Sequence, residues 1–234
     1  MAPVEGLRFD AKVSPSQLKN LELLKSGLFG DCEIVLGEIT WRTHMFIICP
    51  RSKFFQLAFT GDWPEAKERR VKLQEEDFKE GEVNFILECM YADERKFTIE
   101  NESGPASSGF ESCARIYTQA DFLMIPGICA MATDAVIFHE ILHRSERVHH
   151  SFAPDWVRGM EHLYKKSADN EKHPMRQAML SLCFQNALNR RAIKSSPDFK
   201  GLIRREPMFA RDWVLALIAD DRLQIGMFQQ TVAK

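Results

Sequence analysis

The stretch His139-Glu140-Ile141-Leu142-His143 is a literal H-E-x-x-H. On a helix, histidines at i and i+4 share a face and can hold zinc, with the glutamate activating a water. His149 stands where the longer pattern H-E-x-x-H-x-x-G-x-x-H has its third ligand, but Glu146 replaces the turn glycine. Glutamate resists the left-handed backbone that such a turn needs. No protease-like sheet pattern precedes the motif, so the histidines read as partly exposed residues on a closing helix. No catalytic residue, cofactor or metal ligand is expected, and a zinc hydrolase is kept only as the last alternative. Cys32, Cys49, Cys89, Cys113, Cys129 and Cys183 include no C-x-x-C pair. All but Cys113 lie in apolar stretches and read as small core residues of a reducing compartment, not as a disulfide framework.

The composition agrees with that setting. With 31 bases against 33 acids, the net charge of -2 gives no electrostatic argument for nucleic acid or an anionic membrane. Lys67, Arg69 and Arg70 are interleaved with Glu65 and Glu68, which suits a solvated face. Residues 1–6 show no basic stretch followed by an apolar run, so no secretory signal is read. The longest apolar run, Trp213 to Ala219, is too short to cross a bilayer. The expectation is an intracellular protein of cytoplasm or nucleus.

The elements that would position any site come next. Ser14-Pro15-Ser16-Gln17 predicts a helix start with a capping box, and Leu18, Leu21 and Leu24 recur on one face before Gly27. Cys32 to Leu36 alternates as a strand, Gly37-Glu38 fits a two-residue turn, and Ile39 to Thr43 returns. Phe46 to Phe59 has helical spacing, with Pro50 placed to start a second helix. Arg70 to Leu73 reads as a strand, Val83 to Tyr91 as a helix and Phe97 to Ile99 as a marginal strand. Helices follow over about Phe110 to Phe122 and Ile128 to His143. Residues 1–13 read as a tail. From residue 144 the pattern changes: Arg144 to Asp155 is polar and His-rich, and Lys165 to Pro174 reads as a charged linker between helices. Helices are expected at Trp156 to Tyr164, from Pro174 through Leu188, after Ser196-Pro197 and after Glu206-Pro207.

The order and the residues together resemble the BTB/POZ domain family. Asp31-Cys32-Glu33-Ile34 resembles the family's opening strand, and His44 stands where it carries a histidine before its first core helix. Ser52-Lys53-Phe54-Phe55 with Phe59 resembles its S-x-[YF]-F-x-x-x-F. Tyr117-Thr118-Gln119-Ala120-Asp121 resembles the end of its Y-x-x-A-D-K-Y helix. The detail is most similar to short BTB proteins of filamentous fungi. The resemblance implies an α+β fold over residues 14–143, a small mixed sheet flanked by helices, with an all-helical extension over residues 144–234. It implies a protein-interaction module and no enzyme. His44-Met45 lacks the basic residue that pairs with Asp31 in the corepressor pocket of some members. Asp31 reads as a residue that caps or turns into the strand.

The resemblance also nominates surfaces. In the family's cullin-3 adaptors a hydrophobic-x-Glu triplet follows the F-x-x-x-F helix. Trp63 and Glu65 match it, with Pro64 as a departure and Phe55 and Tyr117 as neighbours of the same face. The Leu18, Leu21 and Leu24 stripe falls where the family places its dimer helix. The expected partners are proteins: cullin-3, a second copy of the chain, or both. The alternative is a non-ligase scaffold or a transcription-associated oligomerisation module.

Overall fold

The computed structural model describes residues 4–9, 13–92, 96–99, 109–143, 152–167, 173–185 and 187–219. Helix α1 (Pro15–Ser26) starts with the expected capping box, and Gly27 ends it in the left-handed conformation. Strands β2 (Cys32–Leu36) and β3 (Ile39–Thr43) form an antiparallel hairpin turned by Gly37, whose φ of 56° suits glycine. Cys32, Ile34 and Leu36 alternate inward. Strand β4 (Arg70–Leu73) lies parallel to β2 on its other side, giving a three-stranded sheet in the order β3-β2-β4.

The crossover from β3 to β4 holds three short helices: α2 (Met45–Ile48), α3 (Lys53–Thr60) and α4 (Pro64–Glu68). Pro50 does not start a helix. It sits in the turn between α2 and α3, and Ser52 caps α3. Helix α5 (Glu80–Tyr91) is buried on nearly every side, Glu82 and Asn84 included. Its one interior amide, Asn84, accepts from the Trp41 indole at 2.6 Å, so no polar atom there is stranded.

The segment read as a tail contains a strand. β1 (Leu7–Phe9) pairs antiparallel with β5 (Phe97–Ile99) of the same chain, and Phe9 stacks on Phe85 at 4.4 Å. Three residues are too few for alternation to announce them.

Helices α6 (Gly109–Phe122) and α7 (Pro126–His143) close the α+β part. Helices α8 (Phe152–Lys166), α9 (Pro174–Gln185), α10 (Ala187–Ser195), α11 (Pro197–Arg205) and α12 (Pro207–Ala219) follow. The single helix expected from Pro174 through Leu188 is two, α9 and α10. The Ser196-Pro197 and Glu206-Pro207 starts are where they were expected.

Helix α8 packs along α6. The Asp155 carboxylate accepts from the Phe110 and Glu111 amides at 2.9 and 3.1 Å, capping α6 from outside its own segment. The Trp156 indole donates to the Met179 carbonyl at 2.9 Å, and its ring meets Phe209 and Trp213 edge-on. Arg176 is 3% exposed, yet its guanidinium donates to the Leu163 and Ser167 carbonyls and lies 4.1 Å over the Tyr164 ring. It closes the C-terminal end of α8, where a cation is favoured.

Candidate protein-interaction surface

Helix α3 is held at both ends. The Ser52 hydroxyl accepts from the Phe55 amide and donates to the Leu123 carbonyl at 2.6 Å, tying α3 to the end of α6. Phe55 and Phe59, one turn apart, face the core at 1% and 5% exposure. Burying Phe55 contributes about 1.5–3 kcal/mol to folding. It therefore presents no surface, and its expected place on a partner face is corrected: helical spacing with Phe59 turns it inward.

The opposite side of α3 carries Leu57, 48% exposed. The chain then turns through Gly61 and Asp62 to Trp63, 60% exposed at the position before α4. Pro64 occupies the first turn of α4, where its fixed φ and missing N–H fit. Glu65 is exposed in the same turn. The Trp63 indole folds over Gly61, and a methyl group there would collide with it. Trp63 is thus braced on one side and open on the other.

Tyr117 is 6% exposed and belongs mostly to the interior. Its ring lies 5.0 Å from that of His173, and burial pushes its phenol up to about 12. Its remaining surface lines a groove of about 740 Å3 together with Lys53, Asp121, Met124, Cys129 and Pro174. The groove lies where the start of α3, the α6–α7 turn and the start of α9 meet. Phe122, next to it in sequence, is 55% exposed. Lys53 and Trp63 stand at opposite ends of α3, on the order of 12–15 Å apart at helical rise. The groove and the tryptophan are therefore separate features.

The leucine stripe of α1 divides. Leu21 and Leu24 are 8% and 5% exposed and pack into the chain's own core, so they offer no dimer surface. Leu18 alone is open, at 50%. The periodicity was correct, but the covered face of α1 is the one against α5.

Sequence reasoning missed a second apolar surface beside this helix. Leu28, Phe29 and Phe46 are 56%, 69% or more exposed, Phe29 reaching 81% at a φ of 62°. A bulky residue seldom holds that left-handed conformation. The loop is fixed from below. His44, 1% exposed, has Nε2 at 2.7 Å from the Leu28 carbonyl and Nδ1 at 2.8 Å from the Tyr91 hydroxyl. Nε2 must donate, because its partner is a carbonyl, and Nδ1 then accepts from the phenol. Asp31 accepts from the Met45 amide at 2.8 Å, so it caps α2. Two apolar residues enclosed by Gly27 and Gly30 were the available signal, since connecting turns usually carry polar residues.

His139 lies on α7 with its ring edge-on to Phe110 at 5.0 Å. The side chains of Glu140 and His143, and all of His149, lie outside the described residues. Among the described residues no three potential ligands converge on a point where a metal ion would sit. Also among the described residues, no helix is long and apolar enough to cross a membrane.

A sheet of this order, the capped α3 and the closing α6–α7 pair define an α+β domain. The BTB/POZ domain family model matches residues 20–140, and the chain belongs to that family. No curated protein matches the chain. BTB/POZ domains are protein–protein interaction modules, so the partners of this chain are proteins.

Proposed function

We propose that this chain is a non-catalytic substrate adaptor for a cullin-3 ubiquitin ligase, with Trp63 as its anchor. Residues 14–143 form the interaction domain and residues 144–234 its extension. The observation that carries the reading is Trp63 itself, 60% exposed, braced by Gly61 and followed by the exposed Glu65. An aromatic that is rigid and open is the kind of residue that dominates interfaces. The groove at Tyr117 supports the reading, because it opens at the start of the helix that precedes Trp63 and the extension completes it through Pro174.

The test is calorimetry with the cullin-3 N-terminal domain from the same organism. Trp63→Ala is expected to weaken binding by about 2 kcal/mol or more, tens of fold, with an unchanged melting temperature. Absence of binding by the unaltered chain refutes the adaptor reading and leaves the non-ligase scaffold.

Self-association is the companion reading. Its support is the set of Leu28 and Phe29, on a loop that His44 holds in place, and Phe46 at the start of α2, all more than half exposed. Isologous pairing is the usual use of such a patch in a homo-oligomer.

A further inference from the structure

The charges of the chain cancel in total but not in place. Residues 14–143 hold 21 acids and 13 bases, whereas residues 144–234 hold 10 acids and 16 bases. The excess is concentrated in α10 and α11. Between residues 187 and 205 stand Arg190, Arg191, Lys194, Lys200, Arg204 and Arg205, against the single acid Asp198.

Helical geometry turns these cations outward. Ile193 of α10 is 0% exposed, and Phe199 and Leu202 of α11 are 5% and 0% exposed, which fixes the inner faces. Arg191, Lys194, Lys200, Arg204 and Arg205 are all exposed. Arg205 reaches Glu161 at 3.4 Å, but Glu161 is already held by Lys165 at 2.8 Å. Among the described residues, Arg191, Lys194, Lys200 and Arg204 have no carboxylate within ion-pair distance.

The arrangement works against the fold. Lys200 and Arg204 stand at i and i+4, and Arg191 and Lys194 at i and i+3, spacings at which like charges destabilise a helix. Lys194, Arg204 and Arg205 lie in last turns, where the helix dipole favours them. Lys200 lies near the start of α11, where the dipole opposes it. A solvated face mixes signs to avoid this repulsion.

We propose that α10 and α11 form a docking face for an acidic segment of a partner protein. An extended nucleic acid fits less well, because residues 14–143 carry the opposite excess and would repel a long phosphate chain. A base-stacking aromatic is also wanting, since Phe199, the one aromatic of α10 and α11, is buried. A lipid surface needs apolar side chains to insert, and no large apolar residue of these two helices is exposed among those described. A short run of Asp and Glu needs neither, and pairs with Arg and Lys by charge-assisted hydrogen bonds.

This face is remote in sequence from Trp63 and does not depend on the adaptor reading. The probe is a fluorescein-labelled oligo-glutamate peptide, followed by anisotropy on the full chain. Binding is expected, weakening as salt rises. The triple variant Arg191→Glu, Lys200→Glu, Arg204→Glu is expected to weaken it about tenfold or more. The milder Arg191→Gln, Lys200→Gln pair should give a smaller loss in the same direction, which separates charge from misfolding. Cullin-3 binding should be unaltered in both. An unaltered chain that ignores the peptide, or a triple variant that binds it equally well, overturns the proposal. Tighter binding to oligothymidylate, or to phosphatidylserine vesicles, overturns it as well and assigns the face to phosphate chemistry.

Discussion

The sheet-bearing half is acidic and the helical half basic, and their seam shows how that difference is used. Lys166 of α8 reaches Asp77, and Arg158 of α8 reaches Glu111 of α6, at 2.7 and 2.6 Å. Both pairs join a base of the extension to an acid of the other half. Beneath them the contact is apolar and hydrogen-bonded: Asp155 caps α6, and His162 Nε2 shares a hydrogen bond with the Thr118 hydroxyl at 2.8 Å. The surface pairs are worth little each. The difference in charge therefore orients the extension, while burial holds it.

The comparison breaks if the halves unfold separately. Trp156 is 0% exposed and centres the aromatic cluster of the extension. Trp156→Ala should cost about 3–5 kcal/mol. Because α8 also caps and covers α6, the loss should shift one cooperative transition monitored by near-ultraviolet dichroism. Two transitions, with only one displaced, would show two independent units.

Acid sharpens the comparison, because the seam holds the groups that sense it. Burial holds the imidazoles of His162 and His173 down to about 4, against 6.5 unperturbed. Between those values the unfolded chain binds protons that the folded chain refuses. Stability is therefore lost as pH falls from 6.5 towards 4. Asp155 has the opposite sign. Burial pushes it up to about 7 against the pull of two amides and Arg158, so the folded chain takes that proton first. Its contribution grows as pH falls from 7 towards 3.8. Two imidazoles outweigh one carboxyl, and urea midpoints should fall across this range. Asp155→Asn removes the opposing group and should steepen the fall. A flat profile in both proteins would mean that water reaches the seam.

The smallest effect is expected at Phe29. Phe29→Gly relieves a left-handed residue, whose strain is on the order of 1–2 kcal/mol, and returns part of it as lost chain stiffness. Stability should change by no more than about 1 kcal/mol. Light scattering should nevertheless show weaker self-association. An unchanged oligomeric state would remove Phe29 from any dimer contact.

The elements that could be read from residues were those with explicit end signals. Ser14-Pro15, Ser196-Pro197 and Glu206-Pro207 mark helix starts by their chemistry, and Gly37 marks the hairpin. Strand β1 and helix α4 escaped because three and five residues carry too little period. The division between α9 and α10 escaped because the apolar spacing runs on across it. For the surface, periodicity told which residues share a face but not what covers that face. Phe55, Leu21 and Leu24 fell on covered faces. Trp63, which is exposed, was nominated by its place after an F-x-x-x-F helix and not by its spacing.

The cap on α6 also has a place in time. Phe110 leaves the ribosome 45 residues before the Asp155 that accepts from its amide. At ordinary synthesis rates that interval is about 2–9 s. During it the residues of the family region are all made, yet their sixth helix begins with bare amides and an uncovered flank. A newborn chain of this protein thus still offers that flank to chaperones and proteases after its recognisable domain has been completed, and nascent chains halted between residues 143 and 155 should be cut far faster than chains halted beyond the extension.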